Sequence, residues 1–151
     1  MIQPGTLLQN RYRVAAQIGK GGMGEVYAAT DERFQSKVAI KRTFFDDAEM
    51  SRAFKREARL LNHLRHPALP KVTDHFEEDG GQFLVMEFME GSDLAELMKR
   101  RKVPFPLTDV LRWADQLLDA LEYLHAQEPA VVHRDIKPPN IKLTPEGKVV
   151  L

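Results

Sequence analysis

Strand-like and helix-like patterns occupy different parts of this chain of 151 residues. Short runs rich in β-branched and aromatic residues are concentrated in the first part, where they predict antiparallel strands. These runs are 12–18, 25–29, 37–43, 71–76 and 82–88. Between the third and the fourth run, apolar residues three or four apart predict a helix over 47–64, capped by Asp46 or Asp47. The first part of the chain is therefore predicted to be a five-stranded antiparallel sheet with one helix.

After residue 91 the spacing of the apolar residues becomes helical. A short helix is predicted over 93–101, and a longer one over 107–127 with Thr108 or Asp109 as its N-cap. The longer helix carries apolar residues at i, i+3, i+4 spacing, here called the leucine stripe, which predicts core packing. The leucine stripe consists of Leu107, Val110, Leu111, Ala114, Leu117, Leu118, Leu121 and Leu124.

The end of the chain predicts a small hairpin, in which 141–143 and 149–151 are joined by the turn TPEG. Strands followed by helices are typical of an α+β fold. The change of pattern near residue 90 divides the chain into a sheet-rich part, 1–90, and a mainly helical part, 91–151.

The charge and the composition exclude several classes of function. Lys plus Arg and Asp plus Glu both number 22, so the chain has no overall field that would attract nucleic acid or anionic lipid. Cysteine is absent, which excludes disulfides, Cys-ligated zinc and a thiol nucleophile and fits a reducing compartment. No stretch approaches the roughly 18 apolar residues that cross a bilayer, and no signal peptide is recognisable. We therefore expect a cytoplasmic segment without nucleic-acid or membrane contacts.

A glycine-rich segment lies between the first two predicted strands. Its sequence is Gly19-Lys20-Gly21-Gly22-Met23-Gly24-Glu25-Val26. Glycines in a G-x-G-x-x-G pattern let backbone amides approach phosphate oxygens without obstruction by a Cβ atom. A dinucleotide-binding turn would run from a strand into a helix, whereas this segment runs from strand to strand, which disfavours a Rossmann fold.

Lys41 ends the strand-like run Val38-Ala39-Ile40-Lys41, from which its ammonium could reach the phosphates of a nucleotide. An isolated lysine at a strand end is more often only solvated. Glu57 lies on the apolar face of the predicted helix, where a carboxylate is costly unless it is paired. It could pair with Lys41, with the neighbouring Lys55 or Arg56, or point into water.

The strongest local signal is the segment HRDIKPPN, residues 133–140. Asp135 can accept a proton from a hydroxyl, Lys137 can neutralise a transferring phosphoryl group, and the Asn140 oxygen can bind Mg²⁺. If the segment were only a charged surface loop, the order of these residues would be accidental.

Together these motifs, in this order, resemble the N-terminal part of a protein kinase catalytic domain over residues 11–151. The chain is most similar to bacterial Ser/Thr kinases of the eukaryotic-like type. The resemblance implies a kinase-like α+β fold: a five-stranded antiparallel N-lobe with its helix αC, and the start of a mainly helical C-lobe. It also implies that Mg²⁺ and ATP are bound and that the γ-phosphate passes to a Ser or Thr hydroxyl of a protein substrate.

The resemblance implies roles for individual residues. Lys41 corresponds to the lysine that binds the α- and β-phosphates, and Glu57 to the glutamate of helix αC that holds it. Asp135 corresponds to the catalytic base, Lys137 to the lysine of the γ-phosphate and Asn140 to a metal ligand. The residues implied to surround the nucleotide are the glycine-rich segment from Gly19 to Glu25, the purine roof of Ile18, Val26 and Ala39, and the hinge residues Met86, Glu87 and Met89.

Two departures from the family pattern stand out. Lys142 occupies a position where kinases usually place an apolar side chain under the adenine, so its methylene stem is expected to form the floor while its ammonium points outward. The D-F-G motif, the activation loop and the A-P-E motif do not occur in this sequence. We therefore expect a fragment or a truncated gene product, inactive by itself, whose two helices expose apolar faces.

The alternative function is that of a catalytically inactive nucleotide-binding or interaction module. A small-molecule kinase is disfavoured by the segment HRDIKP.

Overall fold

The computed structural model describes residues 1–21, 24–44 and 48–151 of the chain. These residues form two compact units. The first unit comprises Met1–Leu64 and Lys71–Phe88, and the second comprises Arg65–Pro70 and Met89–Leu151. Each unit contains buried apolar clusters of its own.

The first unit is built on a six-stranded antiparallel sheet with the strand order β1-β2-β3-β4-β6-β5. The strands are β1 Leu7–Leu8, β2 Tyr12–Gly21, β3 Gly24–Asp31, β4 Ser36–Phe44, β5 Val72–Glu78 and β6 Gly81–Glu87. All five predicted strands are confirmed. The predicted number of strands is wrong by one, because β1 pairs with β2 at the edge of the sheet but is too short to show an alternating pattern.

The two faces of this sheet have different partners. Tyr27 and Ile40 lie opposite each other in β3 and β4, and both are fully buried. Because side chains alternate between the faces of a strand, Lys41 lies on the opposite face from Ile40. The core on the Ile40 face consists of Leu8, Tyr12, Val14, Tyr27, Ala29, Val38, Ile40, Phe83 and Val85.

Helix α1, Ala48–His63, covers the other face of the sheet. Ala58 of this helix is buried together with Leu84 of β6. The predicted helix is thus confirmed, while its candidate caps, Asp46 and Asp47, lie outside the described residues. The sheet face that α1 covers is called the α1 side below.

The second unit combines two helices with a small three-stranded sheet. Its elements are β7 Ser92–Asp93, α2 Leu94–Arg100, α3 Leu107–His125, a single 3-10 turn Pro138–Asn140, β8 Lys142–Leu143 and β9 Val149–Val150. Trp113 of α3 packs with Ile141 and Val149 to form the core of this unit. The predicted hairpin is confirmed, and β7 is a further strand that pairs with β8.

The helix starts differ from the prediction. Asp93 is the N-cap of α2 rather than its first residue, and its Oδ1 accepts a hydrogen bond of 2.8 Å from the Glu96 backbone N–H. The N-cap of α3 is Pro106, without a side-chain cap. Thr108 and Asp109 were therefore wrong as caps, because the helix already begins at Leu107 and both residues lie in its first turn.

The leucine stripe is only partly buried. Leu124 is 2% exposed and Leu117 packs against the core of the second unit, whereas Leu107 is 71% and Leu118 is 65% exposed. The prediction that the whole stripe packs in a core is therefore wrong, and the apolar exposure expected for these helices is observed. Despite this exposed apolar face, none of the helices among the described residues is long and apolar enough to cross a membrane.

Gly91 permits a close approach that another residue would prevent. Its φ is +114°, and a Cβ atom there would lie 2.1 Å from the carbonyl oxygen of Leu143. Gly147 also has a positive φ, +76°, but a Cβ atom there would meet only the Arg112 side chain, at 3.6 Å.

We expect Gly91→Ala to lower the free energy of unfolding by about 2–4 kcal/mol and Gly147→Ala by about 1 kcal/mol. Urea unfolding followed by the fluorescence of the single tryptophan, Trp113, measures both; equal losses would contradict the close approach.

Candidate active site

The described residues of the glycine-rich segment lie in β2 and β3, where these strands pair, so the motif runs from strand to strand as predicted. The cross-strand pairs within the motif are Gly19 with Val26, Lys20 with Glu25, and Gly21 with Gly24. Gly22 and Met23 lie outside the described residues. Gly24 has a φ of +130°, and a Cβ atom there would lie 2.1 Å from the Arg42 carbonyl oxygen. This glycine is therefore required for the close packing of β3 on β4, whereas a Cβ atom at Gly21 would meet open space.

Lys41 lies on the α1 side of the sheet. Its direct cross-strand partners are Val26 in β3 and Leu84 in β6, and directly opposed residues share a face. Ala39 shares this face because it lies two residues before Lys41, and its partner in β6 is Met86. Sequence analysis placed Val26, Ala39 and Met86 around the nucleotide only through the resemblance and did not single out Leu84; pairing in the sheet brings all four together with Lys41.

Ile18 has an environment unlike that of a core residue. Its side chain is 48% exposed, although it lies in β2 immediately before the glycine-rich segment. An ordinary core residue of a strand would be buried, so Ile18 is not one. Ala39, by contrast, is 8% exposed, as expected for a residue in a central strand.

A cavity of about 750 Å³ opens between the glycine-rich segment, β4 and α1. Lys41 and Glu57 both line this cavity. Among the described residues, however, Lys41 and Glu57 do not form an ion pair, and the Glu57 side chain is exposed. The alternative pair of Glu57 with Lys55 is not formed either, since Lys55 pairs with Glu77, whose Oε2 lies 3.2 Å from Lys55 Nζ. The structure thus brings the two predicted residues to one cavity without joining them.

Lys142 is placed differently from the expectation. Its Nζ donates a hydrogen bond of 2.9 Å to the carbonyl oxygen of Met89, and both residues are half-buried. The expected outward-pointing ammonium is therefore wrong, because the backbone carbonyl offers it a partner within reach. Sequence analysis singled out both residues, but no pattern in the sequence signals that they touch across 53 positions.

The segment HRDIKPPN forms a compact polar loop. Lys137 Nζ lies 2.8 Å from Asp135 Oδ1, and Asn140 Nδ2 donates to Asp135 Oδ2 at 2.7 Å and to the Asp135 carbonyl oxygen at 2.9 Å. The 3-10 turn helps to fix this arrangement, because the Asn140 backbone N–H donates to the Lys137 carbonyl oxygen at 2.8 Å. The three site residues predicted for this loop, Asp135 and Lys137 as catalytic residues and Asn140 as a metal ligand, are thus in direct contact with one another.

These contacts set the ionisation of Asp135. The hydrogen bond from the Lys137 ammonium lowers the pKa of the Asp135 carboxyl below its ordinary value, and the hydrogen bond from Asn140 acts in the same direction. Desolvation of the carboxylate raises the pKa; this effect is smaller than that of Lys137 but larger than that of Asn140. Asp135 is therefore a carboxylate at neutral pH, able to accept a hydrogen bond from a hydroxyl.

Asn140 is the residue of this loop that fits a cation. Because its side-chain nitrogen donates to Asp135, its amide oxygen is the atom that would bind a hard cation such as Mg²⁺. Within the described part of the chain, His, Cys, Asp and Glu residues form no group of three that could hold a metal ion.

Comparisons with known proteins agree with these motifs. The chain matches a family model described as protein kinase domain over residues 12–151. It is 34% identical to the probable serine/threonine-protein kinase YbdM of Bacillus subtilis over 99% of this chain and 59% of that protein. It is 38% identical to the serine/threonine-protein kinase PknA of Mycobacterium tuberculosis, over 96% of this chain and 35% of that protein.

A solved structure of similar fold is the PknI kinase domain of Mycobacterium tuberculosis. It superimposes with a TM-score of 0.84 at 30% identity, covering 100% of this chain and 60% of that chain. The predicted α+β, kinase-like fold is confirmed. The chain spans 59% or less of the length of these two curated relatives.

The contacts of Asp135 predict its titration. Removing the ammonium by Lys137→Met is expected to raise the pKa of Asp135 toward its ordinary value, and Asn140→Ala is expected to raise it less, because Lys137 makes the larger contribution. Carbon-13 NMR of the side-chain carboxyl, without divalent cations, measures both changes. The pKa of Asp135 is lower in the folded chain than in the unfolded chain. The carboxylate therefore stabilises the fold at pH values above the pKa that Asp135 has in the unfolded chain, and this stabilisation is lost as the pH falls through its pKa in the folded chain. An unchanged pKa in Lys137→Met would contradict the contact.

Proposed function

This chain belongs to the protein kinase domain family, and on that premise we propose that it is part of a Ser/Thr protein kinase that transfers the γ-phosphate of ATP to a protein hydroxyl. The observation that carries the proposal is the contact of Asp135 with Lys137 and Asn140. The two relatives described above are both named as serine/threonine-protein kinases. The absence of cysteine supports a cytoplasmic location for the segment.

Most of the residues proposed to bind the nucleotide belong to the first unit, and Met89 belongs to the second. Backbone amides of the glycine-rich segment, from Gly19 to Glu25, would cover the phosphates, and Lys41 would bind the α- and β-phosphates. Support comes from the cavity that Lys41 shares with Gly21 and Gly24. Apolar side chains beside Lys41 would contact the purine, and the backbone of the hinge residues would face the polar edge of the purine. In this proposal the roof residues are Ile18, Val26 and Ala39, and the hinge residues are Met86, Glu87 and Met89.

The polar loop of the second unit would carry out the transfer. Asp135 would accept a hydrogen bond from the substrate hydroxyl and hold its oxygen in line with the γ-phosphate. As the new P–O bond forms, the bond from the γ-phosphorus to the β–γ bridging oxygen would break, ADP would leave with that oxygen, and Asp135 would take the hydroxyl proton. The Lys137 ammonium contacts Asp135 in this structure. When a nucleotide binds, the Lys137 ammonium would turn toward the phosphoryl oxygens. Asn140 would hold Mg²⁺, which, when bound, would neutralise charge on the phosphates.

Glu57 is proposed as a positioning residue. In the family's active arrangement a glutamate of this helix holds the lysine, whereas here the Glu57 side chain is exposed and not joined to Lys41. Turning the Glu57 side chain, or shifting α1, would form the pair and fix the ammonium. This proposal makes the Lys41–Glu57 pair a step in activation rather than a permanent contact.

Calorimetric titration of the 151-residue chain with ATP and Mg²⁺ tests the nucleotide site. Lys41→Ala is expected to weaken ATP binding by roughly 10- to 100-fold, because a charge-assisted contact with phosphate is lost. Lys102→Ala, which removes an exposed lysine from a loop, is the matched control and should not change the affinity.

Glu57→Gln should change the affinity for ATP by less than about threefold, because Glu57 is not joined to Lys41 here. A folded chain that binds no ATP would instead favour an interaction module, for which α3 offers an exposed apolar face.

The role of Asp135 separates binding from chemistry. In the whole protein, Asp135→Asn is expected to retain the affinity for ATP while phosphotransfer to a protein substrate falls by about 10²- to 10⁴-fold, because the hydroxyl loses its proton acceptor. Asp119→Asn, which changes an exposed carboxylate on α3, is the control. Unchanged turnover in Asp135→Asn would rule out the catalytic role.

A further inference from the structure

The contact between Lys142 and Met89 lies in a segment that the proposed function gives to the purine. A Lys142 ammonium 2.9 Å from the Met89 carbonyl oxygen occupies one of the two polar backbone groups of that residue. The remaining group is the Met89 N–H, which is a donor. The following inference rests on the proposed function, in which the Met89 backbone faces the edge of the base.

The fold holds Lys142 firmly in this position. In β8 it pairs with Asp93 on one side and with Val150 on the other, so its backbone is fixed from both directions. The preceding residue, Ile141, is 6% exposed, and its carbonyl oxygen accepts a hydrogen bond of 2.8 Å from the Leu94 N–H. The ammonium therefore reaches Met89 from a rigid base, and the contact is not an accident of a flexible surface side chain.

The chemistry of purines gives this contact a consequence. Adenine presents an acceptor at N1 and only a C–H group at the neighbouring C2 position. A residue that offers an N–H, and whose carbonyl oxygen already accepts a hydrogen bond from an ammonium, matches that edge. Guanine has a donor at N1 and a second donor on its 2-amino group, so it needs a carbonyl where the lysine ammonium, another donor, already lies. Two donors that compete for one carbonyl raise the cost of binding the wrong base.

We infer that Lys142 is a specificity-determining residue of the nucleotide site: by occupying the Met89 carbonyl, it favours adenine over purines that carry a 2-amino group. Lys142 thus selects the base through a backbone acceptor and without contacting the phosphates. An apolar side chain at this position would leave the carbonyl available to a 2-amino donor. The departure of Lys142 from the usual apolar residue is then a functional feature of this chain.

The probe for this inference is the triphosphate of 2,6-diaminopurine riboside. It keeps the N1 acceptor and the 6-amino group of adenine and adds one donor, the 2-amino group, beside N1. Calorimetric titrations of the chain with this nucleotide and with ATP give a ratio of dissociation constants. In this ratio, general effects of a substitution on the fold or on phosphate binding cancel.

Lys142→Met is expected to shift this ratio by about tenfold toward the diaminopurine nucleotide, the equivalent of one hydrogen bond to a freed carbonyl. Lys142→Arg keeps a cationic donor and should retain the preference of the parent chain. Lys148→Met removes an exposed lysine from the neighbouring turn and is the matched control. If Lys142→Met does not fold, as judged by circular dichroism, Lys142→Leu provides the same comparison.

The outcomes separate this inference from the proposed function. If ATP binds and Lys41→Ala weakens it, but Lys142→Met leaves the ratio unchanged, the inference is wrong and the proposed function stands. If a folded parent chain binds neither nucleotide, the proposed function fails, and the inference fails with it. A shift in Lys142→Met that Lys142→Arg does not reproduce supports the inference.

Discussion

The alternation of side chains along β4 is the constraint on which the first unit depends. Ile40 must enter the aromatic core on one face, and this fixes Lys41 on the other, beside α1. A shift of one residue in the pairing with β3 or β6 would place a charged lysine in that core and remove it from the cavity. The same burial of Ile40 that stabilises the sheet therefore positions the ammonium proposed to bind phosphate.

The second unit fixes its polar loop by a different means. Its short strands bury little by themselves, and the position of the loop depends on Ile141, which packs with Trp113 and Val149 directly after the 3-10 turn. An apolar anchor one residue after Asn140 limits how far the polar side chains before it can move. Within that limit, the ammonium of Lys137 and the amide of Asn140 hold the Asp135 carboxylate from both oxygens.

The sequence predicted those features that repeat over many residues. The five longer strands and the three helices follow from periodic burial, whereas β1 and β7 have two residues each and leave no pattern. The leucine stripe marks an apolar helix face correctly, but periodicity cannot tell which part of that face another element covers, and Leu107 and Leu118 are exposed. The contacts within the polar loop around Asp135 were predictable because its residues are neighbours in sequence. The contact of Lys142 with Met89 and the exposure of Glu57 were not, because both depend on how distant segments pack.

A pair between Lys41 and Glu57 would fix where the Lys41 ammonium lies and would not strengthen its attraction for phosphate. The charges that line the cavity explain this. Lys20 and Lys41 line it together with Glu25 and Glu57, so these four side chains carry no net charge. Glu25 is committed to Tyr27, whose hydroxyl donates to it at 2.6 Å and lowers its pKa, so it remains ionised. A pair between Glu57 and Lys41 would neutralise part of the attraction of Lys41 for phosphate while fixing where its ammonium lies. Affinity for the nucleotide would then depend on Lys41 together with backbone amides and the cation, and Glu57 would affect the rate of transfer more than binding.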